Sequence, residues 1–304
     1  MASSGSFAYG NAKRRKYMAS TMPGTDEQTG PTSEVMRTTS EGKVDFEEKT
    51  SQTLFRWNLG TGIVQFITSL ILFGITDYDT TLPIYTNYPG DGSPRDTGNW
   101  DPSPEHLDDV RPGYYSAVFL LLSALDHLLV ATLVRSAYER CVRQATNPFR
   151  WAEYSISASV MHMFVGNLSG MLDIHLMLAV FFLTAITMVF GYLQEEMNKQ
   201  HYGSPAKKTF FPFWIGFVPH IVNWGIVCSY FFEGVSSGDP PNFVWAIIFV
   251  VLLLDGTFAI NQYLQQKEIS YWKDYIRGEL IFIVLSLTSK QLLAWINYGG
   301  ARSV

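Results

Sequence analysis

One lysine lies inside an apolar stretch close to the end of the chain. The run from Leu280 to Tyr298 reads LIFIVLSLTSKQLLAWINY and carries Lys290 near its middle. As a helix rising ~1.5 Å per residue, this run is roughly 28 Å long, which is enough to cross the hydrocarbon core of a bilayer. A charged ammonium at that depth costs at least ~2.5 kcal/mol on insertion scales. Lys290 is therefore expected to be paired, neutral or covalently used.

The chemistry open to such a lysine depends on its partner. A desolvated lysine loses its proton readily, and the neutral amine condenses with an aldehyde to form a Schiff base. Glu153, about a turn and a half inside another span, is an anion that would stabilise a protonated imine within ~4 to 6 Å. Burial alone leaves a structural ion pair equally open for Lys290. The alternative, which the helix dipole favours, is an interfacial Glu153 bonded to Arg150 or to the helix N-terminus.

Four further polar residues fall within apolar stretches. Ser286 lies one turn before Lys290, so its hydroxyl either reaches the lysine nitrogen or bonds its own backbone. His127, next to Asp126, is a candidate proton acceptor or relay, or else makes a neutral hydrogen bond between helices. Asp255 sits in mid-span, where a carboxylate should be protonated or partnered.

These residues require membrane helices to position them. The chain has 304 residues, of which 47% are hydrophobic, yet its mean hydropathy is near zero, so apolar and polar segments alternate. Seven apolar stretches of membrane-spanning length follow one another: Leu54–Ile75, Tyr114–Val134, Phe149–Leu168, Ile174–Leu193, Phe210–Phe232, Phe243–Leu264 and Leu280–Tyr298. The third is the least hydrophobic. The pattern predicts a multi-pass integral membrane protein that contacts lipid.

Charge and composition organise the rest. Residues 1–50 lack apolar runs and are expected to be a disordered tail, with residues 51–304 forming the membrane domain. Eighteen of the 22 lysines and arginines fall on the side of the N-terminus, three on the opposite side, and Lys290 within a span. This asymmetry predicts a cytoplasmic N-terminus and an extracellular C-terminus. Two cysteines, Cys141 and Cys228, suggest neither a disulfide framework nor a metal site.

Four stretches together make the sequence similar to the heliorhodopsins. They are FRWAEYSISASVM from Phe149, FGYLQEE from Phe190, PFWIG from Pro212, and QYLQQK from Gln262 continuing to YIRGELIFIVLSLTSKQLLAW. The resemblance covers most of the chain from Leu54 onwards, and the inverted orientation is also a family property. It implies an all-α, seven-transmembrane-helix rhodopsin-like bundle with a small β-structured loop between helices 1 and 2.

The resemblance also implies a cofactor and roles for several residues. Lys290 would hold all-trans retinal covalently as a Schiff base, with Glu153 as its counterion and Ser286 beside it. His127 matches a family histidine of the proton-accepting region. Positions that match the retinal pocket are Gln65 and Trp214, and Asp255 would lie at the pocket wall.

Three positions depart from the family pattern. A second family histidine would fall at Gly62, so an acceptor made of two histidines is not intact. Asp126 and Asp255 stand at sites that are apolar in other members. They add titratable groups on either side of the Schiff base.

The sequence therefore predicts a light-sensing retinal protein without enzymatic activity. After isomerisation the Schiff-base proton would leave toward the region of Glu153, His127 and Asp126. The resemblance implies a non-pumping, sensory homodimer with a cytoplasmic signalling partner, and we expect it in the plasma membrane, with no nucleic-acid binding.

Two alternatives from other classes remain. Light-gated proton or cation transport is favoured by the carboxylates in or near the spans, which are Asp126, Asp173, Glu233 and Asp255. An intramembrane metal hydrolase of the seven-helix ceramidase type is disfavoured, because the histidines lack HxxxH spacing.

Overall fold

The computed structural model describes residues 47–76, 80–88 and 103–302. Within these ranges the chain forms eight α-helices and one two-stranded sheet. In chain order they are α1 (Glu48–Ile75), β1 (Leu82–Tyr88), β2 (Ser103–Val110), α2 (Pro112–Ala131), α3 (Arg135–Arg143), α4 (Pro148–Leu168), α5 (Ile174–Asn198), α6 (Phe211–Ser237), α7 (Asn242–Lys267) and α8 (Tyr275–Ala301). Short 3₁₀ turns follow α5 and α7.

Seven of these helices form the membrane bundle. Six are long and apolar enough to cross a membrane by length and composition, namely α1, α2, α5, α6, α7 and α8. The seventh, α4, is 21 residues long but buries Arg150, Glu153, His162 and Asn167 among the other helices. Its low hydropathy thus reflects polar groups inside the bundle. The predicted seven-helix fold with a small β-structured loop is confirmed.

The helices extend beyond the apolar stretches that predicted them. α5 continues through Glu195 to Asn198, beyond the apolar stretch that ends at Leu193, because Gln194, Glu195 and Asn198 are buried against neighbouring elements. α6 runs through Pro219 without a break. Where polar side chains have partners on neighbouring helices, the helical hydrogen bonds of the backbone can continue beyond the end of the apolar stretch.

The connection between α2 and α4 contains a helix that was not predicted. The basic segment expected there as a simple connector folds as α3, whose Tyr138 and Val142 lie four residues apart and are both buried. Residues spaced by four share one face of a helix. The remaining face of α3 carries its arginines.

The two ends of the bundle are distinguishable. We call the end where α1 and α8 begin the basic end, and the end that carries β1 and β2 the sheet end. The strands pair antiparallel from Leu82 opposite Val110 to Tyr88 opposite Ser103, with an irregularity after Ile84. The backbone N–H of Tyr85 donates to the carbonyl of Leu172 at 2.9 Å, so the sheet is attached to the turn between α4 and α5.

The first helix begins at Glu48, three residues before the predicted domain boundary. The disordered tail predicted for residues 1–50 falls almost entirely on residues 1–46, which lie outside the described residues. The bundle interior holds one large apolar cluster that includes Phe119, Phe164 and Ile247. A smaller cluster around Tyr138 and Tyr275 lies at the basic end.

Candidate functional site

Lys290 is buried and makes three polar contacts inside the bundle. Its Nζ atom donates to Oε1 of Glu153 at 2.9 Å, to Oγ of Ser123 at 3.1 Å and to Oγ of Ser286 at 3.2 Å. The ring of Tyr154 lies 5.1 Å from the same nitrogen, within the range of a cation–π interaction. The acceptors and ring surround the ammonium, so its charge is compensated within the protein.

Glu153 pairs with Lys290 rather than with the nearest arginine in sequence. The guanidinium of Arg150 forms buried ion pairs with Glu195 and Glu279 instead. One helical turn separates Arg150 from Glu153, and the two side chains serve different clusters. The interfacial alternative for Glu153 is therefore not the arrangement in the structure.

Ser286 connects Lys290 to His127. The Oγ atom of Ser286 lies 3.3 Å from Nε2 of His127 and 3.2 Å from Oγ of Ser123. On the other side of the ring, Nδ1 of His127 lies 2.8 Å from Oδ1 of Asn58. Two alternatives were predicted for Ser286, a bond to its own backbone or a contact with the lysine nitrogen. In the structure its hydroxyl contacts the lysine nitrogen.

The partners of Asn58 determine which nitrogen of His127 carries the proton. The amide nitrogen of Asn58 donates to the carbonyl of Leu54 at 3.0 Å, so its oxygen faces His127 and can only accept. The Nδ1 atom of His127 must then be the donor. In the neutral ring, Nε2 is left with a lone pair directed at the Ser286 hydroxyl.

The hydrogen bonds continue from Asn58 to a buried charged cluster at the basic end. Its amide lies 3.4 Å from the hydroxyl of Tyr138, which lies 3.3 Å from Oε1 of Glu279. Asn147 donates through Nδ2 to Glu279 at 2.6 Å, and through its backbone N–H to Glu195 at 3.0 Å. A continuous polar path therefore runs from Lys290 to the cluster of Arg150, Glu195 and Glu279.

A large apolar cavity opens on the other side of Lys290. Its volume is about 970 Å³, including the space at its opening. Most of its walls are apolar or aromatic, including Trp151, Tyr154, Phe213, Phe217, Phe258 and Phe282. Ser289, Thr187, His220 and Gln262 add polar groups. On the side of α6 the wall consists of Phe213, Gly216 and Phe217.

Two residues predicted for the pocket do not line this cavity. Trp214 is 59% exposed on the outer face of α6, because the adjacent Phe213 takes the inward position one residue away. Gln65 is fully buried, but its amide donates to the carbonyl of Ser286 at 3.3 Å and so contacts the backbone of α8. A role for either residue in binding retinal stays a prediction.

The two unusual aspartates lie in different places. Asp255 lines the large cavity, and its Oδ2 lies 3.0 Å from Nε2 of His162. Asp126 faces a separate small cleft, which Glu153, Glu279 and Arg150 also line. Asp126 therefore lies close to the polar path that passes through His127. It is not among the hydrogen-bond partners of Lys290.

Gly62, where a second family histidine would fall, has no space for a larger side chain without a shift of its neighbours. A Cβ atom at this position would approach Cγ of Leu128 at 2.8 Å and the Leu128 backbone nitrogen at 3.2 Å. A histidine there needs movement of α2 or of Leu128. The polar partner of His127 comes instead from Asn58, one turn earlier on α1.

Several residues of the site were not singled out from the sequence. Ser123 and Asn58 look like ordinary small polar residues within spans, and Glu195 and Glu279 were placed at or beyond span ends. His162 was not singled out either. The spacing of residues could have pointed to Ser123. It lies four residues before His127 and therefore on the same face of α2.

Metal chemistry finds no support in the part of the chain that the structure describes. No group of three or more histidine, cysteine, aspartate or glutamate side chains is arranged to hold a metal ion there. Cys141 and Cys228 are both free thiols.

The bundle is that of a rhodopsin-type seven-helix membrane protein. Xanthorhodopsin, a light-driven ion pump with dual chromophore, matches 85% of the chain over 97% of its own, with a TM-score of 0.54 and 10% identity. The transmembrane domain of the Salpingoeca rosetta rhodopsin phosphodiesterase matches 84% of the chain over 82% of its own, with a TM-score of 0.50 and 15% identity. At these identities the similarity shows the fold alone.

The family model named Heliorhodopsin matches residues 54–301. The chain belongs to the heliorhodopsin family and is a retinal photoreceptor embedded in a membrane. No curated protein matches the sequence.

The cavity and Lys290 fit the retinal that this family implies. A primary amine at the wall of an apolar, aromatic cavity is the group that condenses with a conjugated aldehyde, and the aromatic walls suit a flat chain. Glu153 supplies the negative charge that a protonated imine needs at the same nitrogen.

Proposed function

We propose that the chain is a light sensor in which Lys290 holds all-trans retinal as a Schiff base and Glu153 is the counterion. The observation that carries this proposal is the 2.9 Å contact between Nζ of Lys290 and Oε1 of Glu153 at the wall of the aromatic cavity. Both side chains are buried, so neither charge has water as its main partner. Their mutual placement favours a positive charge on the nitrogen.

Retinal, when bound, supplies visible absorption and light-driven isomerisation. The chain's own residues then handle the proton of the Lys290 nitrogen. Glu153 is its nearest acceptor, and Ser286 lies between that nitrogen and the free lone pair of His127. Asn58 holds the His127 ring in the orientation that presents Nε2 to Ser286. Ser286, Gln65 and Ser123 thus act by positioning.

Beyond His127, the polar path leads to the basic end. Asp126 and the cluster around Arg150 offer sites that can take up positive charge or rearrange when His127 becomes protonated. A new charge there alters the balance among Arg150, Glu195 and Glu279, which join α4, α5 and α8. We infer that this coupling converts a proton shift into a movement of helices.

The cellular arrangement is part of the same proposal. The excess of lysine and arginine on the N-terminal side favours a cytoplasmic basic end and an extracellular sheet end. We propose a homodimer in the plasma membrane whose cytoplasmic face contacts a signalling partner. Exposed apolar side chains on the outer faces of α5 and α6, including Phe182 and Val218, can contact lipid or a second copy of the chain.

Reconstitution with retinal tests the central claim. Purified protein incubated with all-trans retinal should develop a visible absorption band, which Lys290→Ala should lack. Ser289→Ala, which changes a neighbouring cavity residue but keeps the lysine, serves as the matched control and should retain the band. An unchanged visible band in Lys290→Ala would contradict the proposal.

Light-gated proton or cation transport is the second candidate. It is favoured by titratable groups on both sides of Lys290, with Glu153 and His127 toward the basic end and Asp255 with His162 across the cavity. Two carboxylates that suggested transport do not join this arrangement, because Asp173 caps α5 at the surface and Glu233 is exposed near the end of α6. Photocurrents under voltage clamp, with retinal supplied, separate the two functions.

A further inference from the structure

Three side chains from three helices meet at the cavity wall away from Glu153. The Oδ2 atom of Asp255 on α7 lies 3.0 Å from Nε2 of His162 on α4, and it accepts a 3.0 Å hydrogen bond from Nε1 of Trp224 on α6. The Asp255 side chain is 21% exposed and lines the cavity. The His162 side chain is 3% exposed and lies behind it.

This group is distant from the ion pair of Lys290. His162 follows Glu153 by nine residues on α4, a rise of about 13 Å toward the sheet end. The Nζ atom of Lys290 donates to Glu153, Ser123 and Ser286, and to no residue of the Asp255 group. Asp255 and Lys290 nevertheless line the same cavity, so a ligand attached to Lys290 and filling that cavity passes the Asp255 carboxyl.

The hydrogen bonds of His162 show how many protons the pair holds. Its Nδ1 atom lies 3.0 Å from the carbonyl oxygen of Ala158, which can only accept, so Nδ1 carries a hydrogen. The contact between Nε2 and Asp255 then needs one shared proton, because two lone pairs would repel. The pair is therefore neutral in total, either as histidinium and carboxylate or as imidazole and carboxylic acid.

The indole of Trp224 favours the first of these forms. Its N–H donates to the same Asp255 oxygen, and a donated hydrogen bond stabilises a carboxylate over a carboxylic acid. The pair is then a dipole whose negative end faces the cavity and whose positive end is buried in α4. The wall of the cavity is therefore negatively charged at a point remote from the Lys290 nitrogen.

We propose that the Asp255 and His162 pair is a colour-determining site of this photoreceptor, which lowers the excitation energy of a chromophore attached to Lys290. The inference rests on the proposed function, namely that the cavity holds retinal on Lys290. Excitation of a protonated conjugated imine moves positive charge away from its nitrogen. A negative charge far from that nitrogen stabilises the excited state more than the ground state, and the absorption moves to longer wavelength.

Other ionisable groups face the same space and must be separated from the pair. His220 enters the cavity from α6, Tyr154 from α4, and Lys290 with its partner Glu153 closes the far end. The residues of α5 at the wall, Thr187, Met188, Phe190 and Gly191, carry no ionisable side chain. His220→Gln therefore serves as the control for a cavity histidine outside the pair.

The test is the absorption maximum of the protein reconstituted with all-trans retinal. Asp255→Asn should shift the band to shorter wavelength by on the order of 10 nm, because it removes the negative end of the dipole, which lines the cavity, while the positive end lies behind it and offsets only part of its field at an effective dielectric near 20. Asp255→Asn combined with His162→Gln should match Asp255→Asn alone, since the two residues act as one unit. Trp224→Phe should shift the band in the same direction by less.

The outcomes distinguish this inference from the proposed function. An unmoved or longer-wavelength band in Asp255→Asn, or additive effects of the two substitutions, overturns the colour-determining role while a visible band still supports the photoreceptor. Failure of the unsubstituted protein to form any visible band overturns the proposed function itself. If Asp255→Asn does not assemble, Trp224→Phe and His162→Gln decide the question, and two unmoved bands reject the inference. Infrared difference spectra should also show a light-induced carboxyl change that Asp255→Asn abolishes.

Discussion

The Nζ atom of Lys290 and the Oε1 atom of Glu153 lie 2.9 Å apart inside the bundle. Each residue comes from a different helix, α8 and α4, and each is buried. Removing one partner of a buried ion pair leaves the other charge uncompensated. The contact therefore couples the chemistry of the nitrogen to the packing of two helices.

Replacing Glu153 by glutamine tests its role as counterion. Glu153→Gln keeps the shape but removes the negative charge, so we expect a band displaced from that of the unsubstituted protein. The protonated form should also be lost at lower pH, since the opposite charge no longer favours it. A pH titration of the visible spectrum measures both. Glu233→Gln, at an exposed position of α6, is the control and should change neither.

Replacing His127 tests the proton path. His127→Gln retains hydrogen-bonding groups for Asn58 and Ser286 but cannot bind a proton. We expect light-induced loss of the Schiff-base proton to slow by about a hundredfold, the lower edge of typical acid–base contributions. Flash photolysis measures the rate. His175→Gln alters a histidine that is 69% exposed on its side chain and should leave the rate unchanged. Equal rates in His127→Gln and the unsubstituted protein would refute the path.

The charge cluster at the basic end makes a prediction about stability. Arg150→Gln leaves Glu195 and Glu279 buried without their cation, and a cost of about 3–5 kcal/mol is expected for such a loss. Removing one carboxylate as well, in Arg150→Gln with Glu279→Gln, should recover part of it. Thermal melting in detergent measures the effect. If the single variant melts at the same temperature as the unsubstituted protein, the cluster does not support the fold.

Asp173 makes a prediction about the attachment of the sheet. Its carboxylate accepts from the backbone N–H of Leu176 at 3.0 Å, as the cap of α5, and from Nδ2 of Asn87 in β1 at 3.0 Å. Asp173→Ala should cost about 1 kcal/mol, the usual size for a lost cap. Asp173→Asn can still cap the helix and should cost less. Melting temperatures of the two variants compare these losses.

The same residue predicts a pH dependence. Partial burial raises the pKa of Asp173, but the Leu176 N–H and the nearby His175 outweigh burial, so the pKa lies below its ordinary value. A carboxylate with a lowered pKa stabilises the fold above its unfolded pKa of about 3.9, and this contribution is lost as the pH falls through the lower folded value. The charge-dependent difference between Asp173→Asn and the unsubstituted protein should therefore be constant from neutral pH down to about pH 4 and shrink only at lower pH. A constant difference down to about pH 2 would contradict this assignment.

Much of the fold could be predicted because bilayer thickness constrains sequence directly. Apolar stretches of about twenty residues predicted the helices, and even the weakest stretch, with Glu153 in it, is a helix of the bundle. The ends were harder to predict. Glu195 and Asn198 look like loop residues until their partners across the bundle are known, and nothing local indicates that Tyr138 and Val142 turn a basic connector into α3.

A site residue could be predicted from the sequence when its charge within an apolar span carries a high free-energy cost. Lys290, Glu153 and Asp255 were found because a charge in an apolar span needs an explanation. The rotation of a helix about its axis was harder to predict. One residue differs from the next by about 100° in direction, so Phe213 lines the cavity whereas Trp214 does not.

The sequence by itself therefore determined that seven spans exist, that Lys290 lies deep in the last one, and that the chain resembles the heliorhodopsins. Only the tertiary structure decided which groups meet: Glu153 with Lys290, Arg150 with Glu195 and Glu279, and Asp255 with His162. The reason is physical. Burial cost depends on the depth of a residue in its own segment, whereas a partner within 3 Å depends on the rotation and packing of helices that are distant in sequence.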